Sequence, residues 1–136
     1  MPLPPDPNRL LGTRAACRTA LRVASIVAWI LSAIWLITFF QVLALALAAP
    51  KTYGILVPFY AVSTGLFSVG GFFLRRQSRV AAVSILVWEL ATLLLSLAIK
   101  GFNAGVPMAL AELIVFIVAV VAAFRWHALA PDEPPV

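Results

Sequence analysis

The sequence predicts an all-α integral membrane protein, a four-helix up-down-up-down bundle with both termini on the cytoplasmic side. Three observations predict it. Hydrophobic residues fill 63% of the 136 positions and charged ones 11%, with a mean hydropathy of +1.05. A chain that must cover itself with polar surface in water is far less apolar. Four runs, 23–49, 54–74, 80–99 and 101–124, hold only two charges, Glu89 and Glu112, and each reaches the ~20 residues a helix needs to cross a ~30 Å hydrocarbon layer. Finally, the basic residues are sorted to alternate ends. Arg9, Arg14, Arg18 and Arg22 precede the first run, Arg75, Arg76 and Arg79 divide the second from the third, and Arg125 follows the fourth. The other two connections carry Lys51 and Lys100 alone. This is the positive-inside pattern of a plasma or inner membrane protein, and the preference for arginine over lysine fits a GC-rich bacterial coding sequence.

Pro2, Pro4, Pro5 and Pro7 remove backbone donors from the first residues, so 1–12 is expected to be a frayed cytoplasmic tail. Asn8 or Thr13 can cap a helix that nothing interrupts before Ala49. A straight helix from Thr13 to Ala49 would be ~55 Å long, so its first turns emerge from the bilayer or bend along the headgroups. Arg14, Arg18 and Arg22 form one stripe on it, facing lipid phosphates or water. Ala16, Ala20, Ala24, Ala28 and Ser32 form another, ~160° away, suited to close helix approach. A secretory signal would have an apolar core of ~7–15 residues, and the run from 23 to 49 greatly exceeds that, so cleavage is not expected.

Pro50 and Gly54 bracket an outer turn. Pro58 falls in the first turn of the second helix, where a missing donor costs little. Ala61, Thr64, Gly65, Ser68 and Gly71 then give this span, 54–74, a small and hydroxylic face for helix packing. Residues Arg75 to Ser78 form the inner loop, and the third span covers 80–99. Lys100, Gly101, Asn103, Gly105 and Pro107 make the second outer turn. The fourth span, about 105–124, ends on Arg125, Trp126 and His127, which suit an interface. Connections this short make successive spans antiparallel neighbours within one membrane domain, 13–127. Pro131, Pro134 and Pro135 place 128–136 in a second disordered cytoplasmic tail.

The net charge of +5 does not point to nucleic acid. Topology and anionic lipid account for Arg14, Arg18, Arg22, Arg75, Arg76 and Arg79, each basic residue near the surface attracting headgroups by ~1 kcal/mol. A single cysteine, Cys17, excludes an intrachain disulfide and every multi-cysteine metal motif. A single histidine, His127, leaves no pair for a metal, and no nucleophile–base set or phosphate loop is present. The expectation is a non-enzyme with no metal and no cofactor.

The two glutamates are the residues left to explain. Glu89 lies ten residues from Arg79 and eleven from Lys100, so ~15 Å from either interface. An ionisable side chain at that depth costs at least ~2.5–3.5 kcal/mol, and no base on its own helix can reach it. It must be protonated, hydrogen-bonded, or paired with another helix or a ligand. Thr92, Ser96 and Lys100 fall within about 60° of it and lead to the outer surface. Folding the last two helices about residue 102 sets Glu112 about one turn, ~5 Å, outward of Glu89. Two carboxyls facing one interior would share a proton.

A basic four-span chain with Gly65, Gly70 and Gly71 in its second helix and Glu89 in its third resembles two membrane families in outline. One is the small multidrug-resistance exporters, which exchange protons at a membrane carboxylate. The other is the small accessory subunit of bacterial ATP synthases that serves rotor assembly. The first carries its glutamate in the first span, which here has none. The second tends to have a lysine about three residues after its glutamate, where this chain has Thr92. No residue role transfers from either.

The sequence therefore supports two readings. The first is an accessory or assembly subunit of a membrane complex, or a homo-oligomer, whose partners are lipids and another membrane protein or itself. Its helix contacts would run through Ala24, Ala28 and Ser32 on the first span and Ala61, Gly65 and Ser68 on the second. The alternative is a small proton- or cation-coupled transporter or channel with Glu89 as the coupling carboxylate and Glu112 beside it. A carboxyl sealed among side chains fits the first; one lining a cavity that reaches a surface fits the second.

Overall fold

Thr13 ends the proline-rich lead and starts the first helix, its Oγ1 accepting a hydrogen bond from the Ala16 amide at 3.1 Å. A computed structural model describes residues 1–131. Its helices are α1 (Arg14–Ala48), the single turn α2 (Pro50–Tyr53), α3 (Leu56–Arg75), α4 (Arg79–Lys100) and α5 (Val106–Ala128). The four long ones are each long and apolar enough to cross a membrane. They close a ring: α1 packs most extensively on α3, α3 on α4, α4 on α5, and α5 back on α1. One end of this ring carries Arg14, Arg75, Arg76, Arg79 and Arg125, the other Lys51 and Lys100.

The α1–α3 seam shows why these helices approach closely. A Cβ on Gly71 would lie 2.7 Å from the Trp29 indole and 3.3 Å from the Ser25 carbonyl. With glycine there, Trp29 lies across α3 and donates to the Ser68 carbonyl at 3.3 Å. One turn further, Ser32 donates to the Thr64 carbonyl at 3.1 Å. Ala24, Ala28, Leu21, Phe67, Ile85 and Phe116 are fully buried, and the Phe67 and Phe116 rings meet at 6.1 Å. Outside, large apolar side chains such as Ile30, Ile37, Leu94 and Ile114 stand exposed.

Tight turns join the helices. Gln77 adopts φ 57° between α3 and α4, and Ser78 caps α4 by accepting from the Ala81 amide. Gly101, at φ 65°, ends α4 in a conformation that a side chain would strain, and the Asn103 side-chain Oδ1 accepts from the Gly105 amide at 2.9 Å.

At the arginine end the chain departs from the frayed tail expected of residues 1–12. The Leu3 amide donates to the Ala128 carbonyl at 2.8 Å, and the Ala130 amide returns a bond to Leu3 at 2.9 Å. Arg14 donates to the Leu129 carbonyl at 2.9 Å, and Arg125 reaches the carbonyls of Leu10 and Leu11. Leu11 and Leu129 are buried. Two apolar anchors and two guanidinium groups thus draw the proline-rich strand across the helix ends. Of the second expected tail, Ala128 completes α5 and Leu129 and Ala130 pair with this strap, while residues 132–136 lie outside the described residues.

Substituting the two α3 glycines should separate packing from helix propensity. Gly71→Ala should lower stability by about 1–3 kcal/mol, since Trp29 must move. Gly65→Ala, whose Cβ would meet nothing within 4 Å, should be neutral or mildly stabilising. Thermal unfolding in detergent followed by circular dichroism checks both.

Candidate functional site

Helical register on α4 puts Glu89, Thr92 and Ser96 on one face, three and four residues apart. The turn at 101–105 lays α5 against that face and brings Glu112 to it. The four residues line a single cavity of about 160 Å³, walled by Trp35 of α1 and by Leu93, Val106 and Ala109. The charges of Glu112 and Glu89 are near enough to act on one another. Glu89 sits mid-helix and is 5% exposed; Glu112 is half-buried.

Neither carboxyl is neutralised from within the chain. Among the described residues the ion pair formed is Arg9–Asp6, at 3.2 Å on the surface, and no side-chain hydrogen bond reaches Glu89. Thr92 donates its hydroxyl proton to the Glu89 backbone carbonyl at 3.0 Å. A hydroxyl has one proton to give, so Thr92 offers the cavity lone pairs only. Ser96 adds a second hydroxyl to the lining, so two carboxyls and two hydroxyls are the polar side chains of the cavity.

A second cavity, of about 340 Å³, adjoins the first and shares Trp35, Thr92 and Ser96 with it. It continues past Phe59 and Tyr60 to Leu56, Ile99 and Lys100. The first cavity holds Glu89 and the second borders Lys100, with Trp35, Thr92 and Ser96 lining both. The Trp35 ring stands 6.0 Å from Phe59 and 5.4 Å from Tyr60. Phe59 stacks on Trp88 at 5.6 Å, and Trp88 is fixed by donating to Ser63 Oγ at 3.2 Å, which itself donates to the Phe59 carbonyl at 2.9 Å. Reasoning from sequence passed over these aromatics. The signal available was position, since tryptophan favours span ends whereas Trp35 and Trp88 fall near the middles of their helices.

The other predicted residues divide. Ala24 and Ala28 lie in the core and Ser32 in the α1–α3 seam, but Ala61, Gly65 and Ser68 face outward. The inner face of α3 is instead Ser63, Phe67, Gly70, Gly71 and Leu74, about 160° from Gly65 when measured from Ser63 at 100° per residue. Arg18 and Arg22 are exposed as a stripe, whereas Arg14 is half-buried over the Trp126 ring at 4.9 Å. Arg75, Arg76 and Arg79 lie over Trp29, Phe72 and Phe124 at 4.6, 4.6 and 5.1 Å. No group of three metal-ligating side chains exists among the described residues. The sequence matches no protein-family model, and no curated protein or solved structure is significantly similar to it.

A carboxyl buried without a partner is a cost to the fold. Glu89→Leu should therefore raise stability by about 1–3 kcal/mol, and Glu112→Leu by less because it is more exposed. A fall in the melting midpoint of Glu89→Leu would instead mark the carboxyl as structural glue.

Proposed function

We propose that the chain is a multi-pass protein of the plasma or inner membrane that admits a proton or cation to a carboxyl site at mid-membrane, Glu89 with Glu112 beside it, as a small transporter or channel does. The observation that carries this reading is the buried Glu89, unpartnered among the described residues, which shares a cavity with Glu112 beside a second cavity that borders Lys100. The apolar exterior supports membrane insertion, because exposed Ile, Leu and Val on every long helix would be solvated by acyl chains. The arginine asymmetry supports both termini in the cytoplasm, which makes the lysine end the outer one and the site accessible from outside.

A second reading draws on the outward face of Ala61, Gly65 and Ser68. Small residues exposed on a membrane helix suit docking of a neighbouring helix, so an accessory or assembly role, or a homo-oligomer, is the alternative. The two combine if copies of the chain associate through α3.

Orientation is checked by labelling. In a Cys17→Ala background, Asn103→Cys should react with a membrane-impermeant maleimide on intact cells, and Gln77→Cys only after lysis. The reverse pattern would overturn the topology. For the site itself, purified protein in liposomes should admit protons or alkali cations under an imposed potential, read with an internal pH or ion dye. Glu89→Gln should return the rate to that of empty vesicles while keeping the same elution volume in detergent. Wild-type protein indistinguishable from empty vesicles would remove the carboxyl-site reading.

A further inference from the structure

Resting on the carboxyl-site reading, we infer that the natural occupant of the cavity is an organic monocation with an aromatic or other flat apolar body, its ammonium-type head at Glu89 and Glu112 and its body against Trp35, Phe59 and Tyr60. Charge decides the head. The inner cavity presents two carboxyls, a Thr92 hydroxyl whose proton is already given to the backbone and the Ser96 hydroxyl, with no basic side chain, so it favours cations over anions. Glu89 is 5% exposed, lines this cavity, and has no ion-pair or side-chain hydrogen-bond partner among the described residues. A ligand is the counter-charge that its position lacks.

The walls decide the body. A hydrated inorganic ion would set its waters against Leu93, Val106, Trp35 and Phe59, none of which accepts a hydrogen bond from them well. An organic cation has no such shell to satisfy and buries apolar surface instead. The larger cavity, about 340 Å³, falls in the range of small-molecule sites, and it lies beside the smaller one, with Trp35, Thr92 and Ser96 lining both. Ring faces attract cations and stack on flat groups. The same chain seats four arginines over aromatic rings at its other end, but at this end the aromatics from α1 and α3 face a recess with no guanidinium. Lys100 borders the outer cavity, a position at which a second positive charge on the ligand would be repelled.

The test is calorimetric titration of the protein in lipid nanodiscs with benzyltrimethylammonium, against tetramethylammonium and phenylmethanesulfonate, with empty nanodiscs as the blank. Benzyltrimethylammonium should bind at least about tenfold more tightly than tetramethylammonium, the contribution expected of a desolvated ring contact, and the sulfonate should not bind. Glu89→Gln should abolish the signal. Trp35→Leu should weaken it about tenfold while Trp35→Phe keeps most of it; if Trp35→Leu does not fold, Tyr60→Leu tests the same wall. Equal affinity for the two ammonium ions, or binding of the sulfonate, overturns the inference. No binding of any cation, with Glu89-dependent ion flux intact in liposomes, also overturns it and leaves the carboxyl-site reading standing. Loss of both flux and binding removes the two together.

Discussion

An uncompensated carboxyl in the middle of an apolar helix bundle sets the terms for everything around it. Apolar burial holds the four helices together by area, without direction, and would be equally served by leucine at position 89. Glu89 costs that bundle stability and is given no cation in return. The surrounding residues are arranged around the group rather than neutralising it. Thr92 turns its proton away to the backbone, Glu112 adds a second carboxyl rather than a base, and Trp35 and Val106 keep the walls apolar. A local choice that contradicts global stability in this way is what a binding site looks like from the viewpoint of folding.

Packing explains why the cavity lies toward one end. The arginine half of the bundle is built from small residues: Ala24, Ala28, Gly70, Gly71, Ala82, Ala119, Ala122 and Ala123 are all buried there. Helices faced with alanine and glycine approach closely, and the cavity of about 270 Å³ in this half lies between α3 and α4 against Gly70, Ala81 and Ser84, away from both carboxyls. The lysine half carries Trp35, Phe59, Tyr60 and Trp88, whose rings lock into one another by edge and stack contacts. Bulky rings propped on each other hold the helix axes apart, and the gap they cannot fill is the recess. The strap from Leu3 to Leu11 adds a cover at the closed end. A wedge of this kind gives one-sided access without requiring a moving part.

What the sequence made legible followed from simple periodicities. Helix lengths, the Thr13 cap, the turns around Gln77 and Gly101, and the shared face of Glu89, Thr92 and Ser96 all follow from 3.6 residues per turn and from local chemistry, whereas the Ser78 cap was seen only in the structure. The similar depth of Glu89 and Glu112 followed from the shortness of one turn, but that both line one cavity did not follow from the sequence. The inner face of α3 did not follow, because two small stripes share that helix. Gly70 and Gly71 compete with Ala61, Gly65 and Ser68, and only the partner Trp29, too large to sit over anything but glycine, decides between them. The strap was hidden for a different reason: proline count argues for disorder, while the buried anchors Leu11 and Leu129 and the carbonyls taken by Arg14 and Arg125 are long-range. The aromatic wall is likewise a property of three helices at once.

The electrostatic profile along the bundle bears on whether such a site holds its occupant or passes it on. Antiparallel neighbours cancel most of each helix dipole, so fixed charges dominate the axis. A cation entering from the lysine end would meet Lys100, then the Glu89–Glu112 pair, then alanine packing and the arginine-rich far end. The lysine side chain is long and flexible and can swing its ammonium into solvent, so the outer barrier is soft. The inner barrier combines a closed core with a dense positive rim, in which Arg75, Arg76, Arg79 and Arg14 are held in place over aromatic rings, and that barrier is hard. On the proposed carboxyl-site function, a well beside one soft and one hard barrier would exchange its cation quickly with the lysine side and pass it slowly to the arginine side. Passage to the other side would need the alanine-faced half to open while the aromatic half closes. Such an exchange is cheaper when two copies share it than when four helices must provide it alone. The outward small face of α3, with Ala61, Gly65 and Ser68 free of any contact within the chain's own core, is where a second copy would meet the helix that carries half of the aromatic wall.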